Sequence, residues 1–386
     1  MREEKLLIKN ILVIGIIILF LGTCITPSVA MDNVKKSSIP ISNGYIQNLI
    51  DNASAGDSIY IPNGTYYENI VIDKSISLLG EHKNTTIIDG NFNVNVVTIT
   101  ADWVNISGFT IQNSGNEFNN AGIFIVSNNN NINNNILSNN EYGIYISGCI
   151  NCTISNNTVF FNKKTGIKIL LCKNIIILGN IISNNECGIY LEGWSNHNIN
   201  SNFISSNKKN GINLYCIGYS TIKDNIISNN RNGICSYNSG KNTFINNTIN
   251  SNDINGLELS LTDSDTVCGN SILNNRVGIV LKSGFFIIIN RNNILNNSEG
   301  ICLSFICFWN TIKENNFINN KRDAFINNSF RNRWNGNYWN KPRILPKLIF
   351  GIICWYTPYP ELREIVIPWI PQIDWHPAKE PYDIEV

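Results

Sequence analysis

Charge, histidine and methionine are all scarce in this sequence, and each shortage excludes a class of function. The 386 residues include 29 Lys and Arg against 28 Asp and Glu, so the formal net charge at pH 7 is +1. A chain this close to neutrality has neither the basic face of a nucleic-acid-binding protein nor an acidic tail. With 3 His and 2 Met, it also has few of the imidazole and thioether ligands that copper sites use.

Long apolar segments are equally rare, and the one near the start is short. The run at 11–21 follows basic residues such as Arg2 and Lys5 and precedes a small-residue site that ends at Ala30. The basic start, the apolar run and the small-residue site are the three parts of a secretory leader. The apolar run is too short for a membrane-spanning helix, which needs about 20 residues. We predict that residues 1–30 are a signal peptide, cleaved after Ala30, and that the mature protein is secreted or held at the cell surface. An uncleaved signal anchor is the alternative.

The abundant feature of the sequence is a repeat of about 22 residues. Each copy opens with a glycine that alternating aliphatic residues follow, and successive glycines are 21 to 23 residues apart. These glycines are Gly122, Gly143, Gly166, Gly188, Gly211, Gly233, Gly256, Gly278 and Gly300. A fixed period of tens of residues is the signature of a solenoid.

Two columns of asparagine keep the same spacing. The first column is Asn135, Asn157, Asn180, Asn202, Asn225, Asn247, Asn270, Asn292 and Asn315. The second column is Asn140, Asn162, Asn185, Asn207, Asn230, Asn252, Asn275, Asn297 and Asn320. One aliphatic or aromatic residue lies between the two columns in each copy, and another short apolar-polar alternation precedes them. Each copy therefore holds three short strands.

Three short strands per copy predict an all-β fold, the right-handed parallel β-helix. At roughly 3.3 Å per residue, three strands close one triangular turn of about 22 residues. Stacked turns pair each strand in parallel with its copies above and below, and the inward aliphatic residues form the core. Asn suits the corners because it tolerates left-handed backbone and because stacked amides bond to one another. The general crossover preference makes the helix right-handed.

We expect a cap at each end of the solenoid, since an open strand edge invites aggregation. The lead-in and a short helix that carries Ile46 and Ile50 on one face occupy 31–55. The β-helix follows at 56–325, and a Trp- and Pro-rich C-terminal cap or tail occupies 326–386.

The strand-rich opening at 56–72, with the Gly-Ile-x-Ile and Asn repeats, resembles the pectin-lyase-like superfamily. It most closely resembles the NosD-type proteins and the exported β-helix proteins of archaea, over residues 45–325. Many chemistries share this scaffold, so the resemblance is specific for fold and less so for activity. In the NosD branch it implies periplasmic copper delivery to an oxidoreductase. Elsewhere it implies binding or cleavage of polysaccharide.

The catalytic strings of these relatives are missing. Polygalacturonases of the superfamily carry Asn-Thr-Asp, Asp-Asp, Gly-His-Gly and Arg-Ile-Lys, alginate epimerases carry Asp-Pro-His, and none of the five occurs here. A glycosidase needs two carboxyl groups about 5–9.5 Å apart. Glu192 and Glu258 are three turns apart, on the order of 14 Å at roughly 4.8 Å per turn. We assign no catalytic residue, and a polysaccharide lyase or hydrolase is the alternative function.

Outward positions of the Gly-led strand carry recurring aromatic and charged residues. Flat rings with hydroxyl tips suit sugars, which have an apolar face and polar edges, although Tyr is also simply a good strand residue. The candidates for carbohydrate binding are Tyr145, Lys168, Tyr190, Glu192, Tyr215, Tyr237 and Glu258. We predict an exported protein whose partner is a polysaccharide, a cell-surface glycan or a surface-layer component, with no nucleic-acid partner and no stable membrane span.

Three cysteines are the weak candidates for a soft metal such as copper. Cys149 and Cys172 both lie six residues after their glycine, so they should stack on adjacent turns, and Cys152 completes a Cys-x-x-Cys. Thiolates suit Cu(I). A disulfide plus a thiol fits the spacing equally well. We favour unpaired, half-buried thiols that replace Ser or Ile, and we predict no cofactor.

Two further clusters of acidic residues can each be interpreted as a functional site or as residues with a structural or solvated role. Asp253, Glu258, Asp263 and Asp265 share one turn, where a hard cation such as calcium would find oxygen ligands, but solvated loop carboxylates are the favoured interpretation.

The second cluster is Asp374, His376 and Glu380, a histidine between two carboxylates in the sequence, which could serve as an acid–base set. We favour a structural cap for this segment, since its tryptophans and prolines suit the end of a strand ladder.

Overall fold

The computed structural model describes residues 44–355, 365–368 and 371–384. The predicted signal peptide and most of the predicted lead-in lie outside the described residues. The described chain begins with a helix, α1 (Tyr45–Asn52), and continues as short strands, numbered here in chain order, that form three sheets. Successive strands of one sheet come from successive turns of the chain, and they pair in parallel along the solenoid.

Sheet A consists of β1 (Ser58–Ile61), β4 (Ser77–Gly80), β7 (Asn105–Ser107), β10 (Asn131–Asn133), β13 (Thr153–Ser155), β16 (Ile176–Leu178), β19 (Asn198–Asn200), β22 (Thr221–Lys223), β25 (Thr243–Ile245), β28 (Thr266–Cys268), β31 (Ile288–Asn290), β34 (Thr311–Lys313), β37 (Arg333–Asn335), β39 (Lys347–Ile349) and β42 (Gln372–Asp374).

Sheet B consists of β2 (Gly64–Tyr67), β5 (Thr86–Asp89), β8 (Thr110–Gln112), β11 (Ile136–Ser138), β14 (Thr158–Phe160), β17 (Ile181–Ser183), β20 (Phe203–Ser205), β23 (Ile226–Ser228), β26 (Thr248–Asn250), β29 (Ser271–Leu273), β32 (Asn293–Leu295), β35 (Asn316–Ile318) and β38 (Tyr338–Trp339).

Sheet C consists of β3 (Ile70–Ile72), β6 (Val97–Ile99), β9 (Ala121–Ile125), β12 (Tyr142–Ser147), β15 (Thr165–Leu170), β18 (Cys187–Glu192), β21 (Asn210–Tyr215), β24 (Asn232–Tyr237), β27 (Asn255–Ser260), β30 (Val277–Lys282), β33 (Glu299–Ser304), β36 (Arg322–Asn327), β40 (Gly351–Trp355) and β41 (Ile365–Pro368).

The predicted parallel β-helix is confirmed, with one strand of each sheet per turn. The Gly-led strand of the repeat belongs to sheet C, and the strand between the two Asn columns belongs to sheet B. Inward side chains of all three sheets, such as Ile144, Ile154 and Val159, are fully buried in one continuous core. At the C-terminal end β40 and β42 still pair in parallel with β36 and β37, but β39 pairs antiparallel with β42 and β41 pairs antiparallel with β40.

Close backbone approach explains why each copy opens with glycine. A Cβ added at Gly188 would lie 2.4 Å from the carbonyl oxygen of Gly211 on the next turn and 2.8 Å from the side chain of Ile204. Real Cβ atoms do not approach backbone that closely, so any larger residue would push adjacent turns apart.

Both asparagine columns form continuous amide ladders. The side-chain Oδ1 of Asn225 accepts hydrogen bonds from the backbone N–H (3.0 Å) and the Nδ2 (3.0 Å) of Asn202 on the preceding turn. The Nδ2 of Asn225 donates to Asn247 Oδ1 (3.0 Å) and to the carbonyl of Ile199 (2.9 Å). The buried amide therefore has a partner for each of its polar atoms, as an unhydrated polar group requires.

The left-handed residues are not the ladder asparagines, and this part of the prediction is wrong. The residue before each ladder position has positive φ instead, for example Asn156 (φ 55°), Asp224 (φ 53°) and Asn229 (φ 54°). The ladder amide keeps an ordinary backbone conformation because its contribution is to bond adjacent turns. The turn itself is made by the residue before it, which is often Asn, Ser or Gly.

The two ends of the described solenoid carry buried acidic residues. At the N-terminal side, Glu68 accepts backbone N–H bonds from Ile46 and Gln47 of α1, whose Ile46 and Ile50 join the core. At the C-terminal side, Asp374 Oδ2 accepts from the backbone N–H (3.0 Å) and Nδ2 (3.0 Å) of Asn337, which is the last amide of the first ladder. Within the residues that the structure describes, no helix combines the length and apolarity needed to cross a bilayer.

Candidate functional site

The outer face of sheet C presents three vertical files of side chains, which we call the sheet C face. The first file stands directly before the glycines and includes Ala121, Tyr142, Thr165, Cys187, Asn210, Asn232, Asn255, Val277, Glu299 and Arg322. The second file is Phe124, Tyr145, Lys168, Tyr190, Asn213, Cys235, Glu258, Val280 and Cys302. The third file runs through Ser147, Leu170, Glu192, Tyr215, Tyr237, Ser260, Lys282 and Ser304.

Lys168 is the central charged residue at the N-terminal side of this face. Its Nζ lies 4.7 Å from the ring centroid of Tyr142, 4.5 Å from that of Tyr145 and 5.4 Å from that of Phe118. Burial lowers the pKa of Lys168, while the charge of Glu192 acts in the opposite direction. Within the described residues, no carboxylate lies within ion-pair distance of this ammonium group, so the aromatic rings are its main stabilising contacts.

Tyr145 does not lie open to solvent as a sugar platform would. Its side chain is 5% exposed, and it packs with Tyr142 and Ala121 in a small apolar cluster on the outside of the sheet. Burial raises the pKa of the Tyr145 phenol, which therefore stays protonated at neutral pH. Its contribution to the face is to hold Lys168 in position.

Tyr190 and Glu192 form a hydrogen-bonded pair on one strand. The Tyr190 hydroxyl donates to Glu192 Oε2 at 2.9 Å. Burial, with the hydrogen bond to the Glu192 carboxylate and its charge, raises the pKa of Tyr190. Both residues line a cleft of about 290 Å³ on the sheet C face. The cleft is lined by Tyr142, Lys164, Thr165, Lys168, Glu186, Cys187, Tyr190, Glu192, Lys209, Asn210 and Asn213.

Sequence reasoning missed the first file and the residues just outside it. Tyr142 directly precedes its glycine, whereas Lys164, Glu186 and Lys209 stand two positions before theirs and line the same cleft. Glu186 pairs with Lys209 at 2.5 Å across adjacent turns. The repeat spacing could have identified these positions, because they recur one and two residues before each glycine.

Tyr215 and Tyr237 are the exposed aromatics of the third file. Their rings stack on adjacent turns with centroids 5.6 Å apart and planes at 4°. They remain 38% and 45% exposed, so together they offer a flat aromatic surface to solvent.

Glu258 lies further along and is fully partnered. It bonds to Lys282 Nζ at 2.6 Å, to Asn255 Nδ2 at 2.7 Å and to Ser260 Oγ at 3.0 Å. Burial raises the pKa of Glu258, but the hydrogen bond and charge of Lys282, with the bonds from Ser260 and Asn255, outweigh it and lower the pKa overall. The strand pairing places Glu258 three turns from the Tyr190–Glu192 strand, as the spacing predicted.

The three cysteine candidates come together but form no disulfide. Cys149, Cys152 and Cys172 are fully buried free thiols, rather than half-buried ones. The Cys172 Sγ accepts the backbone N–H of Cys149 at 3.3 Å, and its thiol donates to the carbonyl of Leu170 at 3.2 Å. Hydrogen bonds to the other two thiols, together with burial, raise the pKa of Cys149.

Serine makes the same contacts at the same corner of later turns. The Ser239 hydroxyl accepts the backbone N–H of Ile217 at 3.0 Å and donates to the carbonyl of Tyr237 at 3.0 Å. Cys172 therefore acts as a serine equivalent in the corner. Within the described residues, no group of three or more His, Cys, Asp and Glu is arranged to hold a metal ion.

The acid-rich turn disperses its side chains. Asp253 and Asp263 are exposed, Glu258 is paired with Lys282, and Asp265 is fully buried in a corner. They form no common oxygen cluster that a calcium ion would require.

The contacts of Asp374 and His376 do not support the acid–base set, which was the less favoured interpretation of this segment. Asp374 is fully buried and accepts bonds from the Trp339 Nε1 (3.1 Å) and the Gly336 N–H (3.1 Å), in addition to the ladder amide of Asn337. His376 reaches this carboxylate with its backbone N–H, at 3.3 Å, while its side chain is exposed. Asp374 thus ends the ladder and holds the C-terminal segment.

Comparison with protein families places the chain among solenoids of this kind. Residues 32–198 and 121–267 match the family model described as the right handed beta helix region. Residues 206–344 match the model described as periplasmic copper-binding protein (NosD). Compared with curated proteins by sequence, the chain has no significant match.

Solved structures with the same fold share little sequence with this chain. The A-module of the mannuronan C-5 epimerase AlgE6 of Azotobacter vinelandii has a TM-score of 0.54 at 14% identity, covering 81% of this chain and 91% of that one. The catalytic unit of a GH87 α-1,3-glucanase from Streptomyces thermodiastaticus has a TM-score of 0.61 at 11% identity, covering 76% and 65%. The alginate lyase AlyF-OU02 has a TM-score of 0.58 at 13% identity, covering 77% and 85%. At these identities the likeness concerns the fold.

Proposed function

Because the chain belongs to the right-handed parallel β-helix family, we propose that it is an exported, cell-surface β-helix protein that binds carbohydrate or surface-layer components on the sheet C face. The observation that carries the proposal is the combination of a cleft of about 290 Å³ with the flat Tyr215–Tyr237 stack beside it. Solved structures of this fold include proteins whose names describe action on polysaccharides. The NosD description as a periplasmic protein supports export.

The side chains of the face suit a glycan for chemical reasons. Stacked tyrosine rings offer an apolar surface to the face of a sugar ring, and their hydroxyls reach its polar edges. The cleft adds the Tyr190–Glu192 pair and the ammonium of Lys168, which have hydrogen-bonding capacity directed to solvent. The Tyr215 and Tyr237 rings already stack on each other and the Tyr190 hydroxyl is already held by Glu192, so ligand binding orders few additional rotamers.

A glycan array combined with an assay for reducing-end release tests the proposal. Selective binding without turnover supports it. Turnover of a bound glycan would show that the protein is an enzyme and contradict the proposal of binding alone. Failure to bind any glycan or surface-layer fraction would contradict the proposed binding function.

Variants locate the binding surface. The double variant Tyr215→Ala/Tyr237→Ala should weaken glycan binding at least tenfold, and Lys168→Met should weaken it several-fold. Tyr67→Ala is the matched control, because Tyr67 is 62% exposed on sheet B, away from the cleft. Equal losses in the control and the double variant would place binding elsewhere.

A polysaccharide lyase or hydrolase remains the second candidate, and the hydrogen-bonded Tyr190–Glu192 pair beside Lys168 is the observation that favours it. The raised pKa of Tyr190 argues against this hydroxyl as a catalytic base, since a general base works best with a pKa near the operating pH. Glu186 and Glu192 share one turn of the cleft, but Glu186 is ion-paired with Lys209 and Glu192 accepts a hydrogen bond from Tyr190. The reducing-end assay, extended to detection of unsaturated products, distinguishes this candidate.

Copper delivery, the third candidate, rests on the family description of residues 206–344. The side chains of this segment do not fit it: the Cys307 thiol donates to a backbone carbonyl and its Sγ accepts a backbone N–H, and no cluster of three metal-binding side chains occurs among the described residues. Metal analysis of the purified protein after copper loading provides the test. Copper bound in stoichiometric amount would support copper delivery over glycan binding.

A further inference from the structure

A second cleft lies on a different part of the surface, at the corner between sheets C and A. It measures about 550 Å³ and is the larger of the two clefts described here. Its walls are Asn151, Asn174, Ile176, Asn196, His197, Asn198, Asn200, Tyr219, Thr221 and Lys223. None of these residues belongs to the sheet C face.

An exposed amide ladder, which we call the amide ledge, consists of Asn129, Asn151, Asn174 and Asn196, and its last three members form one wall of the cleft. Asn151, Asn174 and Asn196 each donate through Nδ2 to the Oδ1 of the residue one turn before, at 3.3, 3.0 and 2.7 Å in succession. All four residues have a left-handed backbone, with φ angles of 57°, 60°, 56° and 72° in chain order. The buried ladders stabilise the core, whereas this ladder faces solvent.

The amide ledge ends in unfilled hydrogen-bonding capacity and an aromatic ring. Within the described residues, no donor reaches the Oδ1 of Asn196, because the next turn places Tyr219 at the corresponding position. Tyr219 is 62% exposed, and its hydroxyl accepts from Lys241 Nζ at 2.9 Å, which restrains the ring. The side chain of Asn198, on the neighbouring strand, is exposed as well.

The cleft carries almost no uncompensated charge. Lys223 pairs with Asp224 at 3.2 Å, and among the lining residues it is the one with a charged side chain. His197 is 2% exposed, its Nδ1 accepts the backbone N–H of Ile175, and its Nε2 has no partner among the described residues. Burial lowers the pKa of His197 to about 4, so the ring is neutral at physiological pH.

We propose that the amide ledge with Tyr219 is a second glycan-binding site, which takes an uncharged oligosaccharide running along the solenoid axis. A carboxamide both donates and accepts, as a sugar hydroxyl does, so a row of amides matches a hydroxyl-rich chain without selecting for charge. A chain along the axis meets an amide about every 4.8 Å. The Tyr219 ring supplies the flat surface for one sugar unit.

The ledge is ordered before a ligand arrives. Its side chains are already held by one another, so binding orders few additional rotamers. The one charged residue of the lining, Lys223, already has a carboxylate partner, and the Lys241 ammonium at the edge of the site is bonded to the Tyr219 hydroxyl, so the lining itself favours a neutral chain. This site is independent of the sheet C face, because the two share no residue.

Calorimetric titration of the full mature chain tests the inference with named probes. The neutral probes are the hexasaccharides of α-1,4-glucose, β-1,4-glucose, β-1,4-mannose, β-1,4-xylose and β-1,4-N-acetylglucosamine, and the anionic probe is hexagalacturonate. We expect at least one neutral probe to bind, and Tyr219→Ala and Asn196→Ala each to weaken it tenfold or more. Tyr219→Phe keeps the ring and should stay within threefold of the wild type.

Tyr67→Ala is the matched control, since it removes a tyrosine of the same exposure, 62%, from sheet B and outside both clefts. It should leave the affinity for the neutral probe unchanged. The inference is overturned if the wild type binds none of the neutral probes, if Tyr219→Ala leaves their affinity unchanged, or if Tyr67→Ala weakens it as much as Tyr219→Ala does. Thermal unfolding of each variant checks that the fold is intact. If the sheet C face binds no glycan but the amide ledge does, the proposed function is contradicted and the present inference is supported.

Discussion

Asp265 is an acidic residue in a corner where other turns use neutral acceptors. In this file the side chains of Ser220, Asn242 and Asn310 each accept the backbone N–H of the residue one turn before. Asp265 Oδ1 does the same for Asn242 at 2.7 Å, but its Oδ2 is buried with no partner among the described residues. Burial raises the pKa of Asp265 to about 7; the hydrogen bonds from Asn242 and from the Thr262 side chain act against it, and the charge of Asp263 adds a smaller increase.

The raised pKa predicts that Asp265 destabilises the protein in alkaline solution. A carboxyl whose folded pKa lies above its unfolded value favours folding fully below about pH 4, and this contribution is lost as the pH rises through about 7. At pH 8 the loss is on the order of 4 kcal/mol. Asp265→Asn should therefore raise the free energy of unfolding at pH 8 by up to that amount and little at pH 4.

Denaturant unfolding of the wild type and Asp265→Asn between pH 4 and pH 9 measures this difference. Asp253→Asn, at an exposed position of the same acid-rich turn, is the control and should change the profile little. A stability difference between the wild type and Asp265→Asn that stays constant from pH 4 to pH 7 would contradict the assignment.

Cys172 illustrates how a residue type can mislead at this scale. Its thiol occupies a serine-like position, so Cys172→Ser should change the free energy of unfolding by less than about 1 kcal/mol. Cys172→Ala removes the sulfur and leaves the buried N–H of Cys149 without an acceptor, which should cost about 1–3 kcal/mol. Chemical denaturation of both variants provides the measurement, and equal stabilities would show that the acceptor contributes nothing.

At the scale of the structural element, the amide ladders hold adjacent turns at their corners. Each ladder asparagine bonds to the turn on either side, so one substitution leaves several buried groups unpaired. Asn225→Ala removes the acceptor of the Asn202 N–H and Nδ2 and the donor to Ile199 and Asn247. We expect a loss of at least about 3 kcal/mol in the free energy of unfolding.

Asn198→Ala is the control for this prediction. Asn198 is exposed on β19 and outside the ladder, so its loss should stay within about 0.5 kcal/mol. If Asn225→Ala were no more destabilising than Asn198→Ala in the same denaturant series, the ladder would not be the main tie between turns.

At the scale of the whole molecule, the repeat makes the turn the unit of folding. Removing residues 225–246 deletes one complete turn and joins Asp224 to Asn247, which restores the same corner sequence. The shortened protein should fold, with a smaller denaturant m-value because less surface is buried. Removing 225–235 deletes half a turn and moves inward residues to the surface, so this variant should not fold.

Circular dichroism and denaturant unfolding of the two deletion variants distinguish these outcomes. A cooperative transition in both, or in neither, would contradict a solenoid built from interchangeable turns.

The repeat spacing was sufficient to predict the architecture and the vertical files of side chains. Identical residues at a constant spacing must stack in register, because strand pairing between turns is set by hydrogen bonds that repeat once per turn. Lys168 therefore lies between Tyr145 and Tyr190, and Tyr215 beside Tyr237, as the sequence indicated. The glycines and the ladder asparagines follow from the same spacing.

Only the tertiary structure decided which members of a file are available to a ligand. Exposure depends on the size and packing of the neighbouring side chains: Tyr142 and Phe124 pack against Tyr145, which is 5% exposed, whereas Tyr237 stacks on Tyr215 and remains 45% exposed. The same holds for ionic partners, since Lys282 neutralises Glu258 from a different turn and a different file. A one-dimensional repeat determines the order of side chains along a file, but packing between files, which depends on three-dimensional contacts, determines what each side chain can do.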